Sequence, residues 1–348
     1  MRRIATPGLA LLRNTSLHVA VRWLGIALAA ASFAGTPPVL TAGAEIPHAQ
    51  LSASQAGFYR LKIGEVDVIA LSDGTLSTPV EKVQLTYAKP GEVQALLAKA
   101  QTWPMLNVSV NAYLIRLEDR IILVDAGSGH LYGPSVNKLP ASLRAAGYAP
   151  EQITDILLTH IHTDHSGGLM DGERRVFPNA TIHVEQRELD YWLSAANAGR
   201  AAPGKLKLFK EAEASVPPYI AAGRVQTFSA PAHLFPGIEA LPAPGHTPGH
   251  TFYALQSQGQ KLVFWGDILH VAEVQLVDPG VAIDFDSDQL EARRQRQKAF
   301  ADAARSGYLI APAHMSFPGI GHLQADGSGY RWIPLPYLND APMSSGQE

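Results

Sequence analysis

A short segment of the chain holds a high density of side chains that bind metals. Residues 160–165 read His-Ile-His-Thr-Asp-His, directly after the apolar run 153–158 and before Gly167 and Gly168. Imidazole nitrogens and carboxylate oxygens are good ligands for divalent transition metals. Without a metal, such a cluster would leave several buried polar groups short of partners. The segment therefore predicts a metal site at the end of a β-strand.

The spacing within this segment favours two ions rather than one. His160 and His162 stand at positions i and i+2, so an extended backbone would point both rings to one side, where they can bind one ion together. Asp164 and His165 lie beyond the strand end and face elsewhere, which suits a second ion. Loops that follow strand ends can converge on one edge of a sheet sandwich. Three later loops each offer a further ligand of this kind: His246, Asp267 and His314.

Composition restricts the chemistry further. The chain has 348 residues and no cysteine, so any metal must be held by histidine, aspartate or glutamate. The formal net charge is −3, which offers no basic field for a nucleic acid. A basic run, 293–298, lies in a helix-like stretch, and we expect it to form a solvated helix face. No nucleophile motif of the Gly-x-Ser-x-Gly kind is present.

The first 44 residues are expected to be a signal peptide. Four arginines precede an apolar stretch at 23–33, and Ala42-Gly43-Ala44 fits a small-residue cleavage signal. The apolar stretch is short for a spanning helix, so we expect no stable membrane anchor after processing. The mature protein would be periplasmic or secreted, by either the general secretory or the twin-arginine route. Residues 45–348 then form a single domain.

The ligands must be positioned by two packed sheets. Residues 59–63 with 66–71 and 112–117 with 121–124 read as hairpins. Further strands are predicted at 153–158, 181–184, 238–241, 251–256, 262–265 and 308–311. Helices are predicted around 139–146, over 185–196, and from a cap at Asp286 or Ser287 to about Arg305. Residues 199–222 are expected to form a helical cap. Antiparallel clusters with helices at intervals indicate an α+β domain whose two sheets are covered by helices.

These motifs together resemble those of the metallo-β-lactamase-fold hydrolases. The resemblance rests on the His-x-His-x-Asp-His segment, on Gly-His-Thr-Pro-Gly-His at 245–250, on Gly266-Asp267 and on the late His314. It also includes Asn-Ala-Tyr-Leu-Ile at 111–115 and Leu-Val-Asp-Ala-Gly at 123–127, and it covers essentially the whole mature chain. Segments 70–75, 168–170, 257–262 and 316–322 are similar to the group of methyl parathion hydrolase and related lactonases and arylesterases. The resemblance implies a four-layer αββα sandwich.

The resemblance also implies roles for particular residues. It assigns His160, His162 and His246 to one ion, Asp164, His165 and His314 to the other, and Asp267 as the bridge. The ions are expected to be zinc, although manganese, cobalt and iron also suit these ligands. Asp164 and Asp267 would act in catalysis together with a hydroxide that bridges the ions. An aspartate at the bridge and the lack of cysteine depart from true zinc β-lactamases, so antibiotic hydrolysis is not expected. Four aromatic residues are predicted to line the substrate pocket: Tyr132, Trp192, Phe209 and Phe317.

The predicted function is hydrolysis of a small neutral substrate: an organophosphate triester, an aryl ester or a lactone. Tyr132 stands where the methyl parathion hydrolase group is expected to have phenylalanine, which could change substrate preference. A glutathione-thioester hydrolase or a metal-dependent dioxygenase on the same fold is the alternative. A nuclease and a metal-binding protein without activity are less favoured. His250, Asp125 and Asp73 are expected to support the site. His270 follows the bridging aspartate by three residues and could hydrogen-bond near the site, but an ordinary structural role is favoured. A homodimer is left open.

Overall fold

The computed structural model describes residues 55–338. The predicted signal segment 1–44 lies outside these residues, so cleavage and export stay predictions. Within 55–338, no helix is both long enough and apolar enough to cross a membrane.

Seven strands form the first sheet, in the order β1-β2-β4-β5-β6-β9-β10. Pairing is antiparallel from β1 to β5 and parallel from β5 to β10. The strands are β1 Phe58–Ile63, β2 Val66–Pro79, β4 Met105–Leu117, β5 Arg120–Val124, β6 Asp155–Leu157, β9 Thr181–Glu185 and β10 Val225–Phe228. The short β6 is buried throughout, as expected for a strand with a neighbour on both sides and residues packed on both faces.

A second sheet of seven strands follows in the order β11-β12-β13-β14-β16-β17-β18. Only the β14–β16 pair is parallel. The strands are β11 Ala232–Phe235, β12 Ile238–Pro242, β13 Thr251–Ser257, β14 Gln260–Gly266, β16 Leu309–Pro312, β17 Gly321–Asp326 and β18 Gly329–Pro334. Two small pairs complete the strands: β3 Leu85–Thr86 with β15 Ala282–Ile283, and β7 Met170–Asp171 with β8 Arg174–Arg175. Gln258 and Gly259 both have positive φ, which gives the two-residue β13–β14 turn the twist that a hairpin requires.

The two sheets pack face to face, and helices cover their outer faces. Tyr113, Val124 and Leu157 of the first sheet meet Tyr253 and Phe264 of the second in a common core. A second core lies under the helices of the first sheet and a third under those of the second. The helices are α1 Glu92–Lys99, α2 Leu139–Ala145, α3 Thr163–Ser166, α4 Gln186–Trp192, α5 Ala195–Arg200, α6 Leu206–Ser215, α7 Pro217–Ala221, α8 Ala272–Gln275 and α9 Gln289–Ser306. This arrangement confirms the predicted α+β sandwich.

Several local predictions are confirmed and others are wrong in detail. Both predicted hairpins, helix α2 and strands β6, β9, β12, β13, β14 and β16 are present. The predicted helix over 185–196 is interrupted at Leu193 and Ser194. The cap of α9 is Asp288, whose carboxylate accepts hydrogen bonds from the amides of Leu290 and Glu291, rather than Asp286 or Ser287.

The prediction of a solvated basic face is wrong for one arginine. Arg294 is exposed, whereas Arg296 of the same helix is fully buried. The charge pattern of α9 shows only that the residues are basic. It does not show that the loop after β14 folds over this part of the helix, where Arg296 donates to the carbonyl of Ile268.

Candidate metal centre

The His-x-His-x-Asp-His segment changes from extended to helical backbone within a few residues. His162 is extended, with φ −91° and ψ 164°, and it caps α3, which begins at Thr163. The change in conformation places Asp164 and His165 on a different side from His160 and His162. This is the division between two ligand groups that the spacing predicted.

Residues from both sheets complete two clusters of metal-binding atoms. His160, His162, His246 and Asp267 form one cluster, and Asp164, His165, Asp267 and His314 form the other. Within each cluster the candidate ligand atoms all lie within 4.8 Å of one another. Asp267 belongs to both. The structure therefore brings together all seven residues that the sequence predicted as ligands.

Asp267 lies between the clusters and presents one oxygen to several rings. Its Oδ2 lies 3.3 Å from Nε2 of His246 and 3.1 Å from Nε2 of His314. Its Oδ1 lies 3.1 Å from Nε2 of His165. This position allows one carboxylate to serve both clusters, as a bridging ligand must.

The other ring nitrogen of three histidines is held by a hydrogen bond. Nδ1 of His165 lies 2.8 Å from Oδ2 of Asp125, and Nδ1 of His246 lies 2.9 Å from Oδ1 of Asp286. Nδ1 of His314 lies 2.9 Å from the carbonyl oxygen of Ser109. A proton on Nδ1 satisfies each of these contacts and leaves the Nε2 lone pair directed at the cluster. Such support is typical of histidines that bind metals.

The cluster atoms fit divalent ions. Nε2 of His160 is buried and has no hydrogen-bond partner among the described residues. Nε2 of His165 and Oδ1 of Asp267 are also buried, and although they lie 3.1 Å apart they make no hydrogen bond with each other or with any other described residue. Buried polar atoms without partners are rare in folded proteins and call for an explanation. All the donors are nitrogen or carboxylate oxygen, which suits zinc and its neighbours in the transition series. Divalent ions would satisfy these atoms.

The charges of His160, His162 and Asp267 agree with this assignment. Burial, together with neighbouring histidines, holds the pKa values of His160 and His162 well below their ordinary value, so both rings are neutral, as metal ligands must be. Burial alone would raise the pKa of the Asp267 carboxyl. The surrounding histidines, His165 foremost, outweigh burial and hold that pKa well below its usual range. Asp267 is therefore anionic.

At His165, His246 and His314 the facing carboxylates, Asp267 among them, outweigh burial and raise the pKa of the ring. These rings must therefore lose a proton when a metal binds.

Residues predicted to support the site do so. Asp125 accepts hydrogen bonds from the amide and hydroxyl of Thr159 as well as facing His165. Asp73 accepts from the amides of Ser128 and Leu139, and so fixes the loop after β5 and the start of α2. His250 lies outside both clusters, and its Nε2 accepts a hydrogen bond of 3.0 Å from the amide of Asp267.

Glu188 of α4 has a supporting role that the sequence did not reveal. Its buried carboxylate accepts hydrogen bonds from the amides of Ile161 and Gly249, at 2.9 and 2.7 Å, and from Nε1 of Trp192 at 2.9 Å. Ile161 lies between two predicted ligands, and Gly249 lies in the loop of His246. Glu188 therefore joins the two loops that carry the first cluster. A single glutamate in an amphipathic helix carries no spacing that would have indicated this role.

The clusters lie at the floor of a cavity of about 850 Å³. His162, Asp164, His246, Asp267 and His314 face this space. Most of the wall is apolar and comes from β2, β4, α6, β15 and segments between strands: Leu76, Val83, Leu106, Val108, Leu131, Leu208, Val271, Ile283 and Phe285. The site is therefore open to a largely apolar molecule.

The structure places one of the four predicted pocket residues in the cavity lining and the other three outside it. Tyr132 lines the cavity. Trp192 is buried behind the site, and its ring centroid lies 5.0 Å from that of His162. Phe209 packs against Trp192, with 4.8 Å between the two ring centroids. Phe317 packs against the core between the sheets. Within the described part of the chain, the lining does not include the last three of these residues.

His270 is closer to the site than the sequence indicated. Its Nε2 lies 3.1 Å from Oδ2 of Asp267, and the residue lines the cavity. The expectation of an ordinary structural role therefore needs correction. His270 contacts the shared carboxylate.

Comparisons with known proteins agree with this geometry. Residues 106–312, more than half of the chain, match the family described as the metallo-beta-lactamase superfamily. The crystal structure of hydrolase AbOPH in the beta lactamase superfamily is 34% identical, covers 82% of this chain and 100% of its own, and superposes with a TM-score of 0.77. AidC, a dizinc quorum-quenching lactonase solved with the product N-hexanoyl-L-homoserine, is 26% identical over 81% of this chain and 99% of its own, with a TM-score of 0.69.

A curated relative extends the comparison. The N-acyl homoserine lactonase of Bacillus cereus is 25% identical over 178 residues, which cover 46% of this chain and 63% of the relative. The chain thus spans a little under two thirds of that relative's length. With the family match, the two-sheet fold and the paired ligand clusters, the chain belongs to the metallo-beta-lactamase superfamily of metal-dependent hydrolases.

Proposed function

We propose that this chain is a binuclear metal-dependent hydrolase that opens lactones or cleaves related neutral esters. The observation that carries the proposal is the sharing of Asp267 by two ligand clusters at the floor of a largely apolar cavity. His160, His162 and His246 would hold one ion, Asp164, His165 and His314 the other, and Asp267 both. Zinc is the metal that we propose, because these nitrogen and oxygen donors suit it and because a similar structure is a dizinc lactonase.

Two bound divalent ions would lower the pKa of a shared water molecule and polarise the oxygen of the scissile group. The protein's own residues orient the histidine ligands, hold the substrate and exclude bulk water. Asp125, Asp286 and the carbonyl of Ser109 orient the rings of His165, His246 and His314. The apolar wall holds the substrate's non-reacting part against the floor and keeps bulk water away from it.

Tyr132 lines the cavity, and we propose that its hydroxyl hydrogen-bonds the substrate. Burial first, and then the charge of Asp164, raise the pKa of this phenol above its ordinary value. The hydroxyl therefore stays protonated near neutral pH and can donate a hydrogen bond to a substrate oxygen in the cavity.

The cavity favours a neutral substrate over glutathione thioesters. A glutathione conjugate would need cationic groups for its carboxylates, and the lining contains two lysines among the described residues. Lys207 lies 3.3 Å from the carboxylate of Glu211, and Lys205 donates a hydrogen bond to the carbonyl of Asp284. Both cations already have partners, whereas the apolar wall suits an acyl chain or an aromatic ring.

The test compares kcat/KM for N-acyl homoserine lactones, dihydrocoumarin, an aryl acetate and methyl parathion, using protein with a measured zinc content. We expect the lactones and aryl esters to be turned over fastest and Asp267→Asn to lose nearly all activity on them. Asp302→Asn is the matched control, since this partly exposed carboxylate of α9 pairs with Arg305 and belongs to neither ligand cluster. Protein that holds two ions yet hydrolyses none of the panel would overturn the proposal, as would oxygen uptake with bound iron.

The native location is proposed on the sequence alone. The signal-like segment 1–44 would send the mature chain to the periplasm or outside the cell. N-terminal sequencing of protein recovered from the periplasm and medium tests this, and an uncleaved chain in the cytoplasm would contradict it.

A further inference from the structure

Arg296 is a buried cation that the proposed chemistry does not use. It lies on α9, outside both ligand clusters, and its exposed fraction is 0%. A guanidinium stays charged in proteins, and a buried charge is costly unless it is paired and hydrogen-bonded. An arginine that served only to fill space in this position could be replaced by an apolar side chain at no electrostatic cost. The contacts of Arg296 point to a more specific role.

Its guanidinium reaches the segment that directly follows Asp267. Nε donates a hydrogen bond of 2.7 Å to the carbonyl of Ile268. Nη1 donates to the carbonyls of Val281 and Pro279. The segment between these carbonyls carries His270, which contacts Asp267 and lines the cavity. One side chain therefore holds both ends of the loop that leaves the shared ligand.

The same guanidinium also faces the carboxylate that supports His246. Nη2 of Arg296 lies 3.6 Å from Oδ2 of Asp286, and both side chains are completely buried. Asp286 in turn receives Nδ1 of His246 at 2.9 Å on its other oxygen. A chain of contacts therefore runs from helix α9 to the metal cluster, from arginine to aspartate to histidine. The guanidinium forms an ion pair, rather than a hydrogen bond, with the carboxylate that receives the His246 ring.

From these contacts we propose that Arg296 is a positioning residue for the metal centre. It holds Asp286 as the acceptor for Nδ1 of His246 and thereby strengthens metal binding at the His160–His162–His246 cluster. The inference rests on the metal centre of the proposed function. It adds a residue, outside the ligand set, that sets the affinity of one of the two sites.

The test measures metal binding rather than turnover. Zinc-free protein is titrated with Zn²⁺ against a chromophoric chelator to obtain the two stepwise affinities, and with Co²⁺ to follow the absorption of each site. The variants are Arg296→Met, Arg296→Lys, Asp286→Asn and the double variant that combines Arg296→Met with Asp286→Asn. Arg294→Met is the matched control, because it removes a charge from the exposed face of the same helix, where the side chain is 73% exposed.

We expect Arg296→Met and Asp286→Asn to weaken the same one of the two binding steps by roughly 10–100-fold, the usual effect of removing a group that orients a metal ligand. Arg296→Lys should restore part of the loss, since it keeps a cation beside Asp286. The double variant should lose little more than the worse single variant, because the two residues act through one contact. Arg294→Met should match the wild type at both steps.

Two outcomes would overturn the inference. One is wild-type affinity at both steps in Arg296→Met, and the other is an equal loss at both steps, which a merely structural arginine would give. If Arg296→Met does not fold by circular dichroism, Arg296→Lys decides: a loss confined to one of the two binding steps supports the inference, and wild-type affinity or an equal loss at both steps overturns it. The titrations use no substrate, so they separate the two proposals. A wild type that binds no metal defeats the proposed function, whereas unchanged binding in the variants defeats only this inference.

Discussion

The ligands and their supporting residues differ in how visible they are in the sequence. The seven candidate ligands lie in short motifs after strand ends, where residue type and spacing together indicate chemistry. Asp125 could also be noticed, because it closes a predicted strand. Asp286 and Glu188 are single acidic residues in helix-like or loop segments, and only the folded chain shows that they contact His246 and Ile161. Such contacts join residues that are distant in sequence and have no period, so sequence patterns do not predict them.

A residue-scale prediction concerns Tyr132. Removing its hydroxyl in Tyr132→Phe removes a donor from a cavity with a largely apolar wall. A neutral hydrogen bond contributes about 1 kcal/mol, so kcat/KM for lactones should fall by roughly 5-fold. Steady-state kinetics with paired lactone and phosphotriester substrates measure the effect, and zinc content should not change. An equal or higher kcat/KM for every lactone would show that the hydroxyl makes no productive contact.

Elements with strong local signals were predicted well, and elements held by tertiary contacts were not. The β1–β2 and β4–β5 hairpins combine apolar runs with clear turns. Helix α1 and the β17–β18 hairpin have weaker patterns and were not predicted. The long strand β2 extends to Pro79 because β4 pairs with it along almost its whole length. The buried side of α9 was misread because the loop that covers Arg296 lies some twenty residues earlier in the chain.

Helix α4 should prove essential to the stability of the site through Glu188. In Glu188→Gln one oxygen remains as an acceptor, but an NH2 group replaces the other oxygen. That group faces either the amide of Gly249 or the amide of Ile161 together with Nε1 of Trp192. Leaving buried donors unpaired should lower the free energy of unfolding by on the order of 3 kcal/mol. Urea unfolding of the metal-free protein measures this. Glu213→Gln on the exposed side of α6 is the control, and it should change the free energy by less than about 0.5 kcal/mol. A similarly small change in the free energy of unfolding for Glu188→Gln would contradict the role of Glu188 in joining the two loops.

At the start of β6, Asp155 gives a pH-dependent contribution to stability. Burial alone would raise its pKa, but hydrogen bonds from His183, Thr154 and Arg120 outweigh burial and lower it. A lowered pKa in the folded state stabilises the fold above the unfolded value, near 4, and this contribution is lost as the pH falls through the folded value. Asp155→Asn should therefore be less stable than the wild type at pH 7, and the gap should narrow below about pH 4.

The test measures the urea midpoints of metal-free wild type and Asp155→Asn between pH 7 and pH 3. Asp326→Asn, at an exposed position of β17, is the control and should show no such trend. A stability gap for Asp155→Asn that is the same at every pH would mean that the carboxylate's charge contributes nothing.

At the scale of the whole molecule, each ligand cluster draws on both sheets. His160 and His162 follow β6 of the first sheet, whereas His246 and Asp267 lie after strands of the second. Asp164 and His165 likewise meet Asp267 and His314 across the same edge. The sequence predicted that ligands from different strands would converge at one edge, because each ligand follows a strand end. It could not predict the cavity above it, whose walls come from segments that are far apart in the sequence.

Because each cluster joins the two sheets, bound ions should stabilise the whole fold and not only the active site. An ion that binds only the folded state at a free concentration 100 times its Kd contributes about 2.7 kcal/mol. For a chain of this size, about 1 kcal/mol shifts Tm by roughly 2–4 °C. Removing two ions with a chelator should therefore lower Tm by on the order of 10–20 °C and abolish turnover, and added Zn²⁺ should restore both. Calorimetry with metal analysis measures this, with zinc-saturated chelator as the control. An unchanged Tm after both ions are removed would show that the sheets hold together without them.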